Sequence, residues 1–349
     1  GKTLTIDNSH FSTCGNNLWG GIILEDGAIL DIQNSVIEDA TAAISAPDGC
    51  DITALNNVFD HNDIAIDFFN MCHHGSSQSA IIQGNLFTCR DRDVKTLSRK
   101  SSVHIRMILN DGFTIGDVAD ATKGNIFEYC SLGMEAGSSS NMVIANNTFR
   151  KLIPDPLYPD AIPGTGILLD PNCPCCAGPY HAPPSSNNVI TKNFFDYIPF
   201  AINCSRSYAD ITENVFTNTV NAIVMNEVDV DFSTGINITD NSIGETESGI
   251  LLVNCIGNTV NITGNYISVL PEPDINHYTT GIDIESVASS NLITINDNLI
   301  NTKGTYGIKI SNELAPSITE NRINLRHPYA FRQDASALPM TGVYLSNVQ

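Results

Sequence analysis

The chain has 349 residues and a formal net charge of −21, with 42% hydrophobic and only 16% charged residues. This composition excludes a disordered chain, and the negative charge opposes binding to nucleic acid or to an anionic membrane surface, since both attract basic proteins. The sequence contains no apolar run of about 18 residues, so we predict no direct membrane insertion.

A short motif recurs from one end of the chain to the other. Each copy has an apolar residue, one or two polar residues, an Asn or Ser, one further residue and a large apolar anchor. The anchors are Phe11, Ile37, Phe59, Phe87, Phe127, Phe149, Phe195, Phe216, Ile243, Ile267, Ile300 and Ile323. Their shortest spacings correspond to one coil of a solenoid, and the longer spacings contain insertions. The repeat therefore predicts an all-β solenoid of about twelve coils.

A polar residue stands two positions before every anchor. The set is Ser9, Ser35, Asn57, Asn85, Asn125, Asn147, Asn193, Asn214, Asn241, Asn265, Asn298 and Asn321. Amides stacked at the spacing of neighbouring strands, about 4.8 Å, can satisfy one another and the backbone of the turn. We interpret this ladder as structural, because a ligand site is not repeated in every coil.

A second apolar segment follows each anchor and begins with Gly or Ala in most coils, as in 166–169 and 281–284. Alternation within the segment directs every second residue into the core. Short strands connected in one sense form parallel sheets, and the usual chirality of such connections predicts a right-handed coil. We predict a single right-handed parallel β-helix over residues 1–349, and we interpret the chain as a fragment or processed part of a longer protein.

The opening segment, with Cys14, the strand start at 19–22 and the Asn-x-Phe/Ile coils that follow, resembles the right-handed parallel β-helix (pectin-lyase-like) superfamily. It is most similar to β-helix regions of secreted surface proteins of Bacteroidota. The resemblance implies a protein that is secreted or displayed at the cell surface. Our first hypothesis is an adhesive or structural stalk that binds glycans or other cell-surface proteins. The alternative is a polysaccharide lyase or glycoside hydrolase that acts on an acidic polysaccharide.

Insertions enlarge the coils of Phe87 and Phe149 on both sides of the second strand, and insertions in solenoids tend to wall a binding face. Outward positions of four successive coils supply the candidate catalytic residues Asp67, His104, Arg106, Glu135 and Asp170. Two of the carboxylates could act as acid and base across a glycosidic bond. Alternatively, the carboxylates could hold Ca²⁺ while the arginine removes a proton from a uronate. Ordinary surface ion pairing is the competing explanation.

Five basic residues interrupt the acidic sequence beside this predicted groove. They are Arg90, Arg92, Lys95, Arg99 and Lys100. A local reversal of charge attracts acidic sugars, so we predict that this loop binds substrate. The competing interpretation is a solvated loop that is balanced by Asp91 and Asp93.

Ten cysteines are many for a cytosolic chain of this length and favour an oxidising compartment, although buried thiols would also explain them. Cys50 and Cys72 occupy equivalent positions in adjacent coils, so we predict a disulfide between them. Cys89 and Cys130 follow successive anchors and form a second predicted pair.

The segment 171–181 contains three further cysteines, Cys173, Cys175 and Cys176, whose connectivity the sequence leaves open. Cys72 with His73 and His74 matches no closed zinc pattern. The sequence therefore predicts no certain cofactor, and Ca²⁺ is the metal that best suits an acidic secreted solenoid.

Overall fold

The computed structural model describes residues 1–14, 17–47, 49–69, 79–89, 103–108, 110–152, 164–170, 187–228, 235–255, 259–270, 279–285, 292–311, 316–326 and 340–346. Within these ranges, the single helical element is a short 3-10 turn, Ala121–Lys123, and the other regular elements are β-strands that pair in parallel. The strands form a 12-stranded and a 22-stranded sheet. No helix in the described part is long and apolar enough to cross a membrane.

The chain passes repeatedly through three ladders of strands, which we call the first, the anchor and the second ladder. The first ladder consists of Thr3–Asp7, Ile29–Gln33, Asp51–Leu55, Ala80–Gln83, Thr114–Gly116, Val143–Ala145, Asn188–Thr191, Ala209–Thr212, Ile236–Thr239, Thr259–Thr263, Leu292–Asn296 and Ser317–Thr319. The anchor ladder contains His10–Phe11, Val36–Glu38, Val58–Asp60, Leu86–Thr88, Ile126–Glu128, Thr148–Arg150, Ser242–Thr246, Tyr266–Val269, Leu299–Thr302 and Arg322–Leu325.

The second ladder contains Ile22–Ile23, Ala42–Ala46, Ile64–Phe69, Val103–Ile108, Leu132–Gly137, Thr165–Leu169, Ser248–Val253, Thr280–Glu285, Tyr306–Ser311 and Thr341–Ser346. Two long strands, Phe194–Ser205 and Val215–Asn226, run continuously from the anchor ladder into the second ladder. The anchor and second ladders together form the 22-stranded sheet. The protein is thus a parallel β-helix, as the repeat predicts.

The phenylalanine anchors form one column in the core. Successive rings of Phe59, Phe87, Phe127, Phe149, Phe195 and Phe216 are separated by 4.6 to 5.0 Å between centroids and are inclined by 1 to 8°. These separations match the spacing of paired strands, about 4.8 Å, because each anchor is in register with the next. The column fixes the register of the coils that carry the candidate site.

The ladder of amides is structural, as predicted. Asn85 is typical: its Oδ1 accepts the backbone N–H of Asn57 at 2.9 Å, and its Nδ2 donates to Asn125 Oδ1 and to the carbonyl of Ala54, each at 2.9 Å. The same contacts link the buried members of the ladder along the helix. Each amide inside the ladder therefore bonds to the turns of the coils that precede and follow it.

Candidate functional site

An ion pair between Asp67 and Arg106 lies at the centre of the candidate site. Asp67, Arg106 and Glu135 are in register on three adjacent strands of the second ladder. The Arg106 Nε donates to Asp67 Oδ1 at 2.9 Å and its Nη2 donates to Oδ2 at 2.7 Å. This hydrogen-bonded pairing raises the pKa of Arg106 above its ordinary value. The guanidinium is therefore held as an oriented cation.

Glu135 is the perturbed acid of the site. Burial disfavours its charged form and raises its pKa; Arg106 lowers the pKa, while Asp170 and Asp67 raise it. Glu135 is in register with Leu168, so Asp170 lies one strand further and two residues along, with its backbone N–H on the carbonyl of Ala136. This offset separates the two acidic Cα atoms by about 8 Å. Glu135 and Asp170 thus lie on adjacent coils of one face, and their catalytic roles stay predictions.

The expectation that His104 shares this outward face is wrong. His104 is 1% exposed, and its Nε2 lies 3.0 Å from the backbone carbonyl oxygen of Glu128. Its ring packs 5.8 Å from Phe87 and 6.2 Å from Phe127, centroid to centroid. Burial lowers the pKa of His104 to about 4. The histidine therefore belongs to the core beside the cluster and cannot touch a substrate there.

The corner between the anchor and second ladders explains why alternation fails at this position. His104 stands between two residues that pair with Leu132 and Met134, so it is level with Gly133 in the next coil. A Cβ on Gly133 would lie 2.8 Å from a ring carbon of Phe149 and 2.7 Å from the carbonyl of Gly166. This position faces the anchor column, where most coils carry Gly or Ala.

A second charged cluster, on the anchor ladder, was not predicted from the sequence. The Arg150 Nε and Nη2 donate to Glu128 Oε2 at 2.8 and 2.7 Å, and the Thr88 hydroxyl donates to Oε1 at 3.1 Å. Each of these residues follows its anchor by one position, which is the signal that could have revealed the cluster. The Glu128 side chain is 4% exposed with both oxygens engaged, so its role is structural.

Several predicted residues lie outside the described part of the chain. The substrate-binding residues Arg90, Arg92, Lys95, Arg99 and Lys100 are among them, as are Cys72, His73, His74, Cys173, Cys175 and Cys176. Their roles stay predictions.

The predicted Cys50–Cys72 disulfide stays a prediction because Cys72 lies outside the described residues, whereas the predicted disulfide between Cys89 and Cys130 is not formed in the structure. No disulfide joins two of the described cysteines. The buried Cys50 thiol donates to the carbonyl oxygen of Glu25 at 3.2 Å. Cys89 and Cys130 are both buried, and burial, with a smaller effect of the nearby Cys89, raises the pKa of Cys130 well above its ordinary value.

The described residues do not form a binding site for the Ca²⁺ ion that the sequence analysis suggests. Among them, no group of three or more His, Cys, Asp or Glu side chains is placed to hold a metal ion. Both carboxylate oxygens of Asp67 accept from Arg106, which occupies the ligand atoms that a cation would need. We therefore derive no step of a reaction through a metal.

Comparison with known proteins gives structural neighbours alone, since no family model and no curated protein matches the chain. One neighbour is a family 28 exopolygalacturonase of Yersinia enterocolitica, with 10% identity over 99% of this chain and 72% of that chain, at a TM-score of 0.47. A tailspike protein mutant of E. coli bacteriophage HK620, in complex with a pentasaccharide, has 10% identity and a TM-score of 0.48. The match covers all of this chain but 57% of the tailspike chain. A PL6 alginate lyase in complex with a trisaccharide has 12% identity over 100% of this chain and 79% of that chain, at a TM-score of 0.45. These values assign no activity to this chain.

Proposed function

We propose that the protein is a glycoside hydrolase that binds a polysaccharide on the outward face of the second ladder. The observation that carries the proposal is the grouping of Glu135, Asp170 and the Asp67–Arg106 pair on adjacent coils of that face. Two carboxyl groups in different surroundings are the arrangement that divides acid and base roles in glycosidases. The raised pKa of Glu135 supports its assignment as the acid, because the carboxyl keeps its proton to a higher pH than an isolated glutamate.

We propose that hydrolysis proceeds with inversion. Glu135 donates its proton to the glycosidic oxygen as the bond to the anomeric carbon breaks. A water molecule attacks that carbon from the opposite side and passes its proton to Asp170. The two Cα atoms lie about 8 Å apart. Inversion requires a separation of about 6.5 to 9.5 Å between the two carboxyl groups, so that this water fits between them. Arg106, oriented by Asp67, holds a substrate oxygen beside Glu135.

The contacts of Arg106 oppose the lyase version of the alternative hypothesis. A lyase would need Arg106 to accept a proton from a uronate, whereas the hydrogen bonds to Asp67 raise the pKa of Arg106. A base must lose its own proton before it accepts another. We therefore assign Arg106 to positioning and leave proton transfer to the carboxyl groups.

The test measures reducing ends released from neutral and acidic polysaccharides. We expect wild-type protein to cleave at least one of them, with inversion seen by NMR of the product anomers. Glu135→Gln and Asp170→Asn should each reduce kcat by at least about a hundredfold. The control is Glu213→Gln, a carboxyl with 57% of its side chain exposed. Unsaturated uronate products, or a Glu135→Gln variant as active as wild type, would contradict the proposal.

An adhesive or structural stalk is the second candidate function, with polysaccharides or other cell-surface proteins as partners. The continuous phenylalanine column and the amide ladder favour it, because they tie successive coils into a rigid rod. A stalk needs no Glu135, so Glu135→Gln would leave binding to a cell surface unchanged. Both candidates place the protein outside the cytoplasm, secreted or at the cell surface, as the resemblance to Bacteroidota surface proteins implies.

A further inference from the structure

Exposed apolar side chains gather on the anchor ladder, away from the Glu135 cluster. Phe194, Val215 and Tyr266 occupy one outward row, in register through Ser242. All three apolar side chains are exposed, Tyr266 to 42%. A strand that only had to cover the core would carry polar residues at these outward positions.

A second row of outward residues runs beside the first. It contains Val220 and Leu270, both exposed, with Glu247 between them. Tyr197, which is 58% exposed, lies between the two rows, level with Asn218. It has a φ of 54°, in the left-handed region that a bulky residue rarely adopts. We call the six exposed apolar residues the apolar track: Phe194, Tyr197, Val215, Val220, Tyr266 and Leu270.

Polar side chains lie between the two rows. Asp196 accepts from the Thr217 hydroxyl at 2.8 Å and from the Asn218 amide at 2.9 Å, both on the same oxygen, Oδ1. Gly244 occupies the equivalent position in the next coil, in register with Thr217. The track is therefore an apolar surface divided lengthwise by hydrogen-bonding groups.

This alternation fits a sugar chain better than a protein partner. A pyranose ring presents apolar C–H faces, which pack on aromatic rings, and hydroxyl groups at its edge, which bond to carboxylates and amides. A protein interface would instead bury a continuous apolar centre with a polar rim. Exposed apolar patches rimmed or crossed by polar groups are typical of binding surfaces.

The charge of the track selects a neutral partner. Asp196 is the charged residue among the polar groups between the two rows, and the track itself contains no lysine or arginine. The neighbouring Arg150, in register with Asp196, is engaged by Glu128. A polyanion would meet this carboxylate on a chain of net charge −21.

We propose that the apolar track binds a neutral polysaccharide that lies along the axis of the β-helix. Phe194 and Tyr266 are three strands apart, which corresponds to about 14 Å of bound chain. The strand Phe194–Ser205 connects the two regions, because it carries Phe194 on the anchor ladder and Asn203 on the second ladder, two strands from Glu135 in the same outward row. The proposal names the substrate class of the hydrolase proposed above and rests on that function, although binding to the track does not require cleavage.

Affinity electrophoresis through gels that contain laminarin, xyloglucan, dextran, polygalacturonate or alginate tests the proposal. We expect at least one of the three neutral polysaccharides to retard the wild-type protein. A Tyr197→Ala/Tyr266→Ala double variant should bind it about tenfold more weakly, and Tyr197→Trp/Tyr266→Trp should restore binding because the rings return. Tyr344→Ala is the matched control, an exposed tyrosine on the last strand of the second ladder.

Retardation by the acidic polysaccharides alone, by none of the five, or equally in wild type and double variant, would overturn the proposal. Self-association in sedimentation that disappears in the double variant would assign the track to a second copy of the chain and would also overturn it. Glu135→Gln separates this inference from the proposed hydrolase. Normal retardation of Glu135→Gln, with no cleavage by wild type, would refute the hydrolase alone; cleavage with unchanged KM in the double variant would refute the track alone.

Discussion

Arg106 and Asp67 are joined by two parallel hydrogen bonds of 2.9 and 2.7 Å, although they lie 39 residues apart in the sequence. The pair is largely covered, with 10% of the Asp67 side chain and 32% of the Arg106 side chain exposed. Both residues act on Glu135 with opposite sign, since Arg106 lowers the pKa of Glu135 and Asp67 raises it. Burial is the largest cause of the raised pKa of Glu135, and this pair modulates the pKa in addition.

We expect Asp67→Asn and Arg106→Gln to shift the pH dependence of cleavage in opposite directions. Asp67→Asn removes a negative charge that raises the pKa of Glu135, so the alkaline limb of kcat/KM should move to lower pH. Arg106→Gln removes the charge that lowers this pKa, so the limb should move to higher pH. The measurement is a pH profile of each variant on a cleaved polysaccharide. Shifts of the same sign would show that another group carries the limb.

The same pair should contribute measurably to stability. Asp67→Asn breaks the charge pairing of Arg106 in a largely covered site, and we expect it to lower the free energy of unfolding by about 1 to 2 kcal/mol. Urea denaturation at pH 7 measures the change. The control is Lys192→Gln, since Lys192 and Glu213 approach to 4.0 Å with 38% and 57% of their side chains exposed. Equal losses in the two variants would mean that the Asp67 pair behaves as a surface contact.

The repeat predicted the features that recur and could not predict those that occur once. Asn85 and Phe87 are identifiable because equivalent residues return in other coils, and register then fixes their contacts. His104 shows the limit: strand alternation assigned it to the outward face, although the corner turns it towards the anchor column. Glu128 stands at a recognisable outward position, but its depth depends on Arg150 and Thr88 closing over it. Alternation predicts the direction of a side chain but not how deeply its neighbours bury it.

The amide ladder should be most sensitive where it is buried. Asn125→Ala removes the acceptor of the Asn85 backbone N–H and the donor to the carbonyl of Ile82. Buried groups left without partners should reduce the free energy of unfolding by about 2 to 4 kcal/mol. Asn301→Ala is the control, since its Oδ1 accepts from Asn324 on the outside of the anchor ladder; we expect it to cost less than about 0.5 kcal/mol in urea denaturation. Similar losses of unfolding free energy in both variants would contradict a structural role of the ladder.

His104 should make the β-helix sensitive to acid. Burial lowers its pKa to about 4, whereas an unfolded histidine titrates near 6.5. The contribution is therefore fully present above pH 6.5, and it is lost as the pH falls towards 4, because the unfolded chain takes up the proton first. The loss amounts to roughly 3 kcal/mol when complete. Glu128 and Asp60 are the charged neighbours, and both raise the pKa without overcoming burial.

The comparison of wild type with His104→Gln isolates this effect from the titration of the other groups. Glutamine can donate to the carbonyl oxygen of Glu128, as the His104 Nε2 is placed to do, but it takes up no proton in this range. The free energy of unfolding, measured in urea at pH 7 and at pH 4.5, should fall further in wild type than in the variant. Equal falls would mean that His104 keeps an ordinary pKa, and that its burial between Phe87 and Phe127 is not maintained in solution.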